Sequence, residues 1–415
     1  MRVVVLGAGV VGVTAAYQLA KDGHEVVVID RQPLAANETS WGNAGMIAPG
    51  HAYSWASPKA PMILLKSLWR GDTALRLRPR VDPRMWAWCL RFLRECTTAR
   101  GRANTERKVK LCLYSQQALD AIVAETGIEY DRNRQGALYL YRDRESFQGG
   151  VAKMKVLQDQ GLRLEPVEPE RCVELEPPLE ASRAKIAGGI FCPSDESGDC
   201  HKFTNGLVEV CRGLGVEFRF NTTIERLAAA GDGIERVVTD QGDVRGELYV
   251  LSLGSHSPIV ARGIGLNLPI YPVKGYSVTI PVDGRNGPPR RSGVDENQLV
   301  AWSRMGDRVR LTATAEISGY DTGHRPEDFR HMLATARDLF PDGGDYNRPR
   351  YWAGLRPMTP GGTPIFGRSR RHANLFCNTG QGHMGWTMAC GSARITADLI
   401  AGRKPEISVE GMTLN

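Results

Sequence analysis

No apolar run in this 415-residue chain reaches the roughly 18 residues that a membrane-spanning helix requires, so an integral membrane protein is not expected. Its nine cysteines contain no C-x-x-C pair and no paired Cys/His spacing, and their number is odd. A zinc site and a disulfide framework are therefore not expected; no metal is assigned, and reduced thiols suit a cytoplasmic setting. There is no internal repeat, no low-complexity tract and no Ser/His/Asp or Cys/His arrangement of the kind that serves nucleophilic catalysis. A signal peptide is not expected either, because the β-branched run at Arg2 to Leu6 leads directly into a glycine-rich turn.

Acidic charge is also in short supply, with 46 Asp and Glu against 53 Lys and Arg. The imbalance is concentrated. Between Leu64 and Arg102 there are ten basic residues and three acidic ones, a net +7 that equals the net charge of the whole chain. Leu65, Leu68, Trp69, Trp86, Trp88 and Phe92 are interleaved with them. Two readings stand: a basic, apolar surface for an anionic membrane, or an amphipathic helix that packs its tryptophans on a core. No nucleic-acid motif accompanies the charge, so nucleic acid is not expected as a partner. The location expected is cytoplasmic, or peripheral on the inner face of the cell membrane if residues 64–102 touch lipid.

What the sequence does contain begins with a nucleotide-binding turn. Gly7-Ala8-Gly9-Val10-Val11-Gly12 fits G-x-G-x-x-G between a strand at Val3 to Leu6 and a helix at Val10 to Lys21. The first glycine permits the turn, the second lets a pyrophosphate approach, and the third allows close helix–strand packing. Asp30 ends the next strand 23 residues after Gly7, where a carboxylate can accept from a ribose hydroxyl. These features predict a dinucleotide, without separating FAD from NAD.

A second such spacing, Gly380, Gly382 and Gly385, follows the strand at Leu375 to Asn378 and precedes a helix from about Met384 to Ala401. No buried strand ending in an acid follows it. It reads either as a helix aimed at one anionic locus, such as the N1–C2=O edge of a reduced flavin, or as a plain glycine-rich helix start. Between these nucleotide-type segments, 107–126 reads as a helix closed by Gly127. Residues 136–141 read as a strand, and 270–280 and 298–315 as two long strands of a half-exposed sheet. The fold class expected is α/β, with a discontinuous Rossmann-like domain (1–85, 196–266 and 350–415). An inserted α+β domain (86–195 and 267–349) is built on a mostly antiparallel sheet.

Six stretches in order, VVVLGAGVVGVTAAYQLA, ETSWGNAGMIAPG, SDESGDCHKFT, YPVKGYSVTIP, WAGLRPMTPGGTPIFG and NTGQGHMGWTMACGS, carry a resemblance along the whole chain. The chain resembles the bacterial D-amino acid dehydrogenases, within the wider D-amino acid oxidase and sarcosine oxidase class. The resemblance implies FAD, bound by Gly7, Gly9, Val10, Val11, Gly12, Asp30 and Arg31. It extends the site to Ser40, Asn43, Ala44, Gly45 and Met46, then to Ile224 and Gly254. The last glycine turn would complete it with Gly380, Gly382, His383, Met384, Gly385, Trp386 and Thr387.

It also implies that Arg356 pairs with a substrate carboxylate, a role its guanidinium fork suits; an interdomain salt bridge is the competing reading. His383 would contact ring or substrate, or else cap a helix. Lys274 and Tyr276 are catalytic candidates from the YPVKGYS strand, Lys274 being equally readable as a domain-junction salt bridge. Asp195, Glu196 and Asp199 read as a hydrated turn capping the next helix, ahead of acid/base carboxylates.

Departures from the family pattern cluster near the expected substrate: Gly361 replaces an acid, Gln381 and His383 change the last turn, and Gln298 stands where a tyrosine is common. His51, Tyr53 and Gln298 are accordingly substrate candidates, and D-proline and cis-4-hydroxy-D-proline join the small D-amino acids as expected substrates. Trp352 to Leu355 lack the cysteine to which related oxidases attach flavin, which implies non-covalent FAD. Val309 to Glu316 lack the lysine some oxidases use for oxygen, which implies a dehydrogenase passing electrons to a quinone or other acceptor. An oxidase releasing peroxide and an FAD-binding subunit of a larger dehydrogenase remain as alternatives.

Overall fold

The computed structural model describes residues 1–67, 75–284 and 287–414. Leu68, Trp69, Arg70 and Asp72 of the basic segment lie outside the described residues. Two sheets organise the chain. The first has six strands in the order Ile365–Arg368, Leu375–Thr379, Leu248–Leu251, Arg2–Leu6, Glu25–Ile29 and Glu217–Arg219. All neighbours are parallel except the first two. Parallel strands need cover on both faces, which explains the apolar runs VVVL and VVVI within them.

One face is covered by helices Val10–Lys21, Cys200–Gly213, Thr98–Thr126 and Gly385–Ile400, around Val13, Leu119, Phe203, Leu207 and Ala389. The last two of these helices approach closely: a Cβ on Gly391 would stand 2.9 Å from the Ser115 Cα. The other face carries the hairpin Ile224–Ala230 and Gly233–Thr239 with the helix Ser257–Arg262.

The second sheet runs Arg350–Met358, Tyr271–Pro281, Arg308–Ile317, Val300–Met305, Ser292–Asp295, Ala137–Tyr141, Gly188–Cys192 and Glu165–Val167. Leu75–Leu77 adds to Arg308–Ile317. Pairing is mostly antiparallel, and helix Arg330–Leu339 covers one face around Val278, Ile280, Leu311 and Phe329. The α/β class with its antiparallel second sheet is the one the sequence implies.

Several expectations need correction. The single strand expected over 298–315 is two, Val300–Met305 and Arg308–Ile317, turned at Gly306, whose φ is +59°. Tyr271–Pro281 is buried along almost its whole length, not half-exposed, because helix Arg330–Leu339 covers one side and a large cavity lies along the other. The expected domain spans also depart from sheet membership. Leu75–Leu77 and Arg350–Met358 pair within the second sheet, and Thr98–Thr126 packs on Gly385–Ile400 beside the first. Strand pairing, which sequence order does not report, draws those elements across.

Thr98–Thr126 carries an unusual core residue. Lys108 is fully buried, and its Nζ donates to the Tyr53 carbonyl at 2.8 Å. Burial lowers its ammonium from 10.5 to about 8. Between those values the unfolded chain holds a proton that the folded chain does not, so stability at this site rises with pH across that interval. Urea unfolding at pH 8 and at pH 10 should therefore reveal a stability difference between wild type and Lys108→Met that moves in favour of wild type with rising pH. A difference that does not change with pH would contradict a buried, depressed lysine.

Candidate cofactor and substrate site

At the end of Arg2–Leu6 the chain turns at Gly7, whose φ is +104° and whose Cβ would stand 2.7 Å from the Ser252 carbonyl oxygen. A Cβ on Gly12 would fall 1.9 Å from the Gly7 oxygen, so helix Val10–Lys21 closes directly on the turn. Gly9 is the helix N-cap and supplies no side-chain cap. The Val10 amide donates instead to Ser40 Oγ at 3.1 Å. Asp30 has a second task beyond the one its position suggests: its Oδ2 accepts from the Ala8 amide at 2.6 Å and its Oδ1 from the Gln32 amide at 2.8 Å. Burial raises its carboxyl above the usual range, against the pull of these two amides.

A cavity of about 1440 Å³ runs from this turn along the second sheet. Gly7, Gly9, Val10, Val11, Asp30, Arg31 and Ile224 wall it together with Ser40, Asn43, Ala44, Met46 and Gly254. From the C-terminal turn come Gly382, His383, Met384, Gly385, Trp386 and Thr387. Four expected residues are not on its surface. Gly12 is spent on helix packing, Gly45 lies under the Met305 side chain, and Gly380 lies against Thr359 and Ile270. Lys274 turns its Nζ to the Gly323 carbonyl and lies 5.2 Å from the Tyr276 ring centroid, so it neither faces the cavity nor forms the expected salt bridge among the described residues.

The short turn Gly382–Met384 leads into Gly385–Ile400, which has no side-chain cap and no acid in its first turn. The N-termini of two long helices thus face one cavity with no acidic residue in either first turn, a setting that favours anionic groups through backbone amides and the helix dipole. That donor set, with glycines where a Cβ would collide, fits the pyrophosphate and electron-accepting ring of a flavin dinucleotide. None of the nine cysteines lines the cavity.

The wall opposite is built around Arg356. Its guanidinium lies on the Gly275 backbone, where an added Cβ would come within 2.4 Å of Cζ. Its Nη1 donates to the Thr314 carbonyl at 2.8 Å. Thr314 is a bulged residue, skipped in the pairing of Arg308–Ile317 with Tyr271–Pro281, with φ at +58°. A β-branched residue held there is strained, and here the bulge accompanies a carbonyl turned onto the arginine. Arg356 has no carboxylate partner among the described residues, and burial lowers it to about 10. The interdomain salt bridge is not formed among the described residues.

Trp55, which sequence reasoning did not single out, joins this wall: Arg356 Cζ lies 5.9 Å from its ring centroid, and His383 stacks on it at 4.5 Å. Burial and the cations Lys108 and Arg356 push His383 well below its usual value, so it is neutral. Its Nε2 is buried without a partner. Tyr276 lines the same cavity, with its hydroxyl 3.4 Å from Glu316 Oε2.

His51, Tyr53 and Gln298 line the cavity too, and they bring in two further residues absent from the expected set, Glu296 and Lys153. His51 Nε2 is 2.8 Å from Glu296 Oε1, and Lys153 Nζ stands 3.9 Å over the Tyr53 ring. Burial would raise Glu296, but the charges of His51 and Lys153 outweigh it and hold the carboxyl below its usual value. Local sequence carried no sign of this pairing, since Glu296 and His51 lie 245 residues apart.

Asp195, Glu196 and Asp199 are buried, which corrects the expected hydrated turn. Asp199 does cap Cys200–Gly213, accepting from the His201 and Lys202 amides. Asp195 accepts from the Gly50 amide and the Tyr139 hydroxyl, and Glu196 pairs with Arg132 at 2.7 Å.

Comparison with known proteins agrees with this construction. A family model described as FAD dependent oxidoreductase matches residues 2–399. The chain is 48% identical over 413 residues to D-amino acid dehydrogenase 2 of Mesorhizobium japonicum, covering 99% of both chains. It is 48% identical over 416 residues to D-amino acid dehydrogenase of Paramagnetospirillum magneticum, covering 100% of this chain and 98% of that one. Among solved structures, glycine oxidase from Geobacillus kaustophilus superposes with a TM-score of 0.78 at 20% identity, covering 100% and 98% of the two chains. L-proline dehydrogenase from P. horikoshii gives 0.75 at 18%, covering 100% and 96%. The latter two share the fold. With the glycine turn, the second helix N-terminus and a match from residue 2 to residue 399, the chain belongs to the FAD dependent oxidoreductases.

Proposed function

We propose that this enzyme oxidises D-amino acids at Cα, giving an imine that hydrolyses to a 2-oxo acid, and passes the electrons to a quinone. The observation that carries the reading is Arg356, a guanidinium in the cavity wall with no carboxylate within ion-pair distance among the described residues. The names of full-length relatives at 48% identity support the D-configuration. When bound, FAD supplies the two-electron acceptor for the Cα–H bond. The absence of a cavity-lining cysteine supports non-covalent binding of that FAD.

In this reading Arg356 binds the substrate carboxylate through its fork, and Gly275 and the Thr314 carbonyl fix the plane of that fork. His383, being neutral, offers Nε2 to the substrate amine or its solvent. Trp55 excludes water between them. The uncapped N-terminus of Gly385–Ile400 favours negative charge gained during the reaction. The His51–Glu296 pair offers a donor and an acceptor to a substrate's far end, which suits a ring hydroxyl such as that of cis-4-hydroxy-D-proline.

Residues 83–95 carry the second part of the proposal. Helix Pro83–Glu95 buries Met85, Trp88 and Phe92 on a small core, as the amphipathic reading requires. Yet Trp86, Leu90 and Leu93 are 47%, 53% and 45% exposed at i, i+4 and i+7, and Arg84, Arg91 and Arg94 lie on the same helix. Met62, Ile63 and Leu65 are exposed on the neighbouring Ala60–Lys66. An apolar stripe flanked by Arg94, with Arg91 and Arg84 farther round the helix, fits the headgroup boundary of an anionic bilayer, where a quinone would be met. Arg76 contributes nothing to such a surface, being buried. No helix among the described residues is long and apolar enough to cross a membrane.

Anaerobic addition of D-amino acids or D-proline should bleach the flavin absorbance of the purified enzyme, and L-amino acids should not. Arg356→Met should lower kcat/KM about 10- to 100-fold with flavin content preserved, the cost of one charge-assisted contact. An unchanged kcat/KM in flavin-replete Arg356→Met would overturn the carboxylate role. Oxygen uptake equal to dye reduction would overturn the quinone. For the surface, a Trp86→Ser, Leu90→Ser, Leu93→Ser variant should lose co-sedimentation with phosphatidylserine vesicles while keeping its activity on a soluble dye. Undiminished binding would remove this helix from the membrane contact.

A further inference from the structure

The sheet face that carries Arg356 continues outward beyond the cavity. Arg350 pairs in register with Thr279, and Thr279 with Arg310, so these three side chains form one row across adjacent strands of the same face. Arg308, two residues from Arg310, shares that face. Trp41 and Trp352, with ring centroids 6.2 Å apart, stand between this row and the main cavity. Outside them lies a separate cavity of about 240 Å³, lined by Trp41, His201, Lys202, Arg308, Arg310 and Arg350 as well as Thr279 and Asp199.

The charges around this small cavity do not balance. Arg308 is bonded to Asp199, and Lys202 to Asp131 at 2.8 Å. Arg310 is buried, yet its partners are all neutral: Thr279 Oγ1 at 3.0 Å, the carbonyls of Trp41 and Asn43, and the Trp41 ring 4.9 Å from its Cζ. Neither Arg310 nor Arg350 has a carboxylate within ion-pair distance among the described residues. Arg308 Nε is buried with no acceptor. A buried guanidinium without a counter-charge is costly, and an anion in the cavity would relieve it. Burial depresses Arg310 to about 10, and the more distant charge of Asp199 opposes this only in part.

We propose that this cavity is a binding site for a small, doubly charged oxyanion, held by Arg308, Arg310 and Arg350. The space and the planar donors suit a phosphate-sized group. Occupation would also reach the main cavity, since Arg310 holds the carbonyls of Trp41 and Asn43, and Asn43 lines that cavity. The site is separate from the substrate arginine and stands whether or not Arg356 binds a carboxylate.

Calorimetric titration of the holoenzyme with inorganic phosphate, against sodium chloride of equal ionic strength, tests the site. Wild type should bind one phosphate saturably. Arg350→Gln and Arg308→Gln should each bind about tenfold more weakly, the equivalent of one charge-assisted hydrogen bond. Arg348→Gln, on an exposed residue paired with Asp283, should bind as wild type does. Arg350 lies on the outermost strand and is exposed, so its variant decides the matter should Arg308→Gln fail to fold. Malonate in place of phosphate tells a carboxylate ligand from a phosphoryl one. No binding of either ion above the chloride control, or equal affinity in wild type and Arg350→Gln, would overturn the proposal.

Discussion

A positive charge that lines a cavity with no carboxylate partner among the described residues favours an anion from outside, and the site is organised around that constraint at Arg356. Its guanidinium can lie flat only because residue 275 is glycine and because Thr314 is held at positive φ with its carbonyl turned inward. His383, stacked on Trp55, is held neutral chiefly by its burial, with the charges of Lys108 and Arg356 adding to the effect. The cavity therefore offers cationic and neutral donors close together, with its one lining carboxylate near His51, Glu296, already engaged by that histidine.

The two sheets divide the work. The parallel sheet supplies the glycine turn and the helix N-termini, positions dictated by backbone geometry. The antiparallel sheet supplies a flat face on which side chains two residues apart point the same way, so that Arg350, Trp352, Gly354 and Arg356 succeed one another along one strand. The close backbone approaches at Gly7 and Gly12 thus belong to the first sheet, and the arginine face, with Gly275 beneath Arg356, belongs to the second. The cofactor cavity is where they meet.

This division also explains what the sequence made legible. The turn at Gly7, Gly9 and Gly12, the strand ending at Asp30 and the helix after Gly385 are local patterns, and each occurs where its spacing implies. Arg356 was visible through its motif, while the bulge at Thr314 that aims a carbonyl at it was not, because a bulge depends on the pairing of two strands. The same holds for Glu296 and Lys153, which reach the cavity through contacts with His51 and Tyr53 far away in the chain. Residues 298–315 read as one strand because alternation continues on both sides of Gly306 and hides the turn. The placement of Lys274 away from the cavity likewise rests on a distant contact, with the Gly323 carbonyl 49 residues away, which no local pattern announces.

The central claim is that Arg356 is the anchor for the carboxylate of a substrate. A crystal structure of the flavin-loaded enzyme with a non-oxidisable carboxylate analogue of a D-amino acid tests it most directly. The account predicts both carboxylate oxygens within hydrogen-bonding distance of the Arg356 guanidinium, with the rest of the ligand directed towards His51 and Glu296. A carboxylate found instead on Lys153 or His51, with Arg356 still bonded only to Thr314, would contradict it.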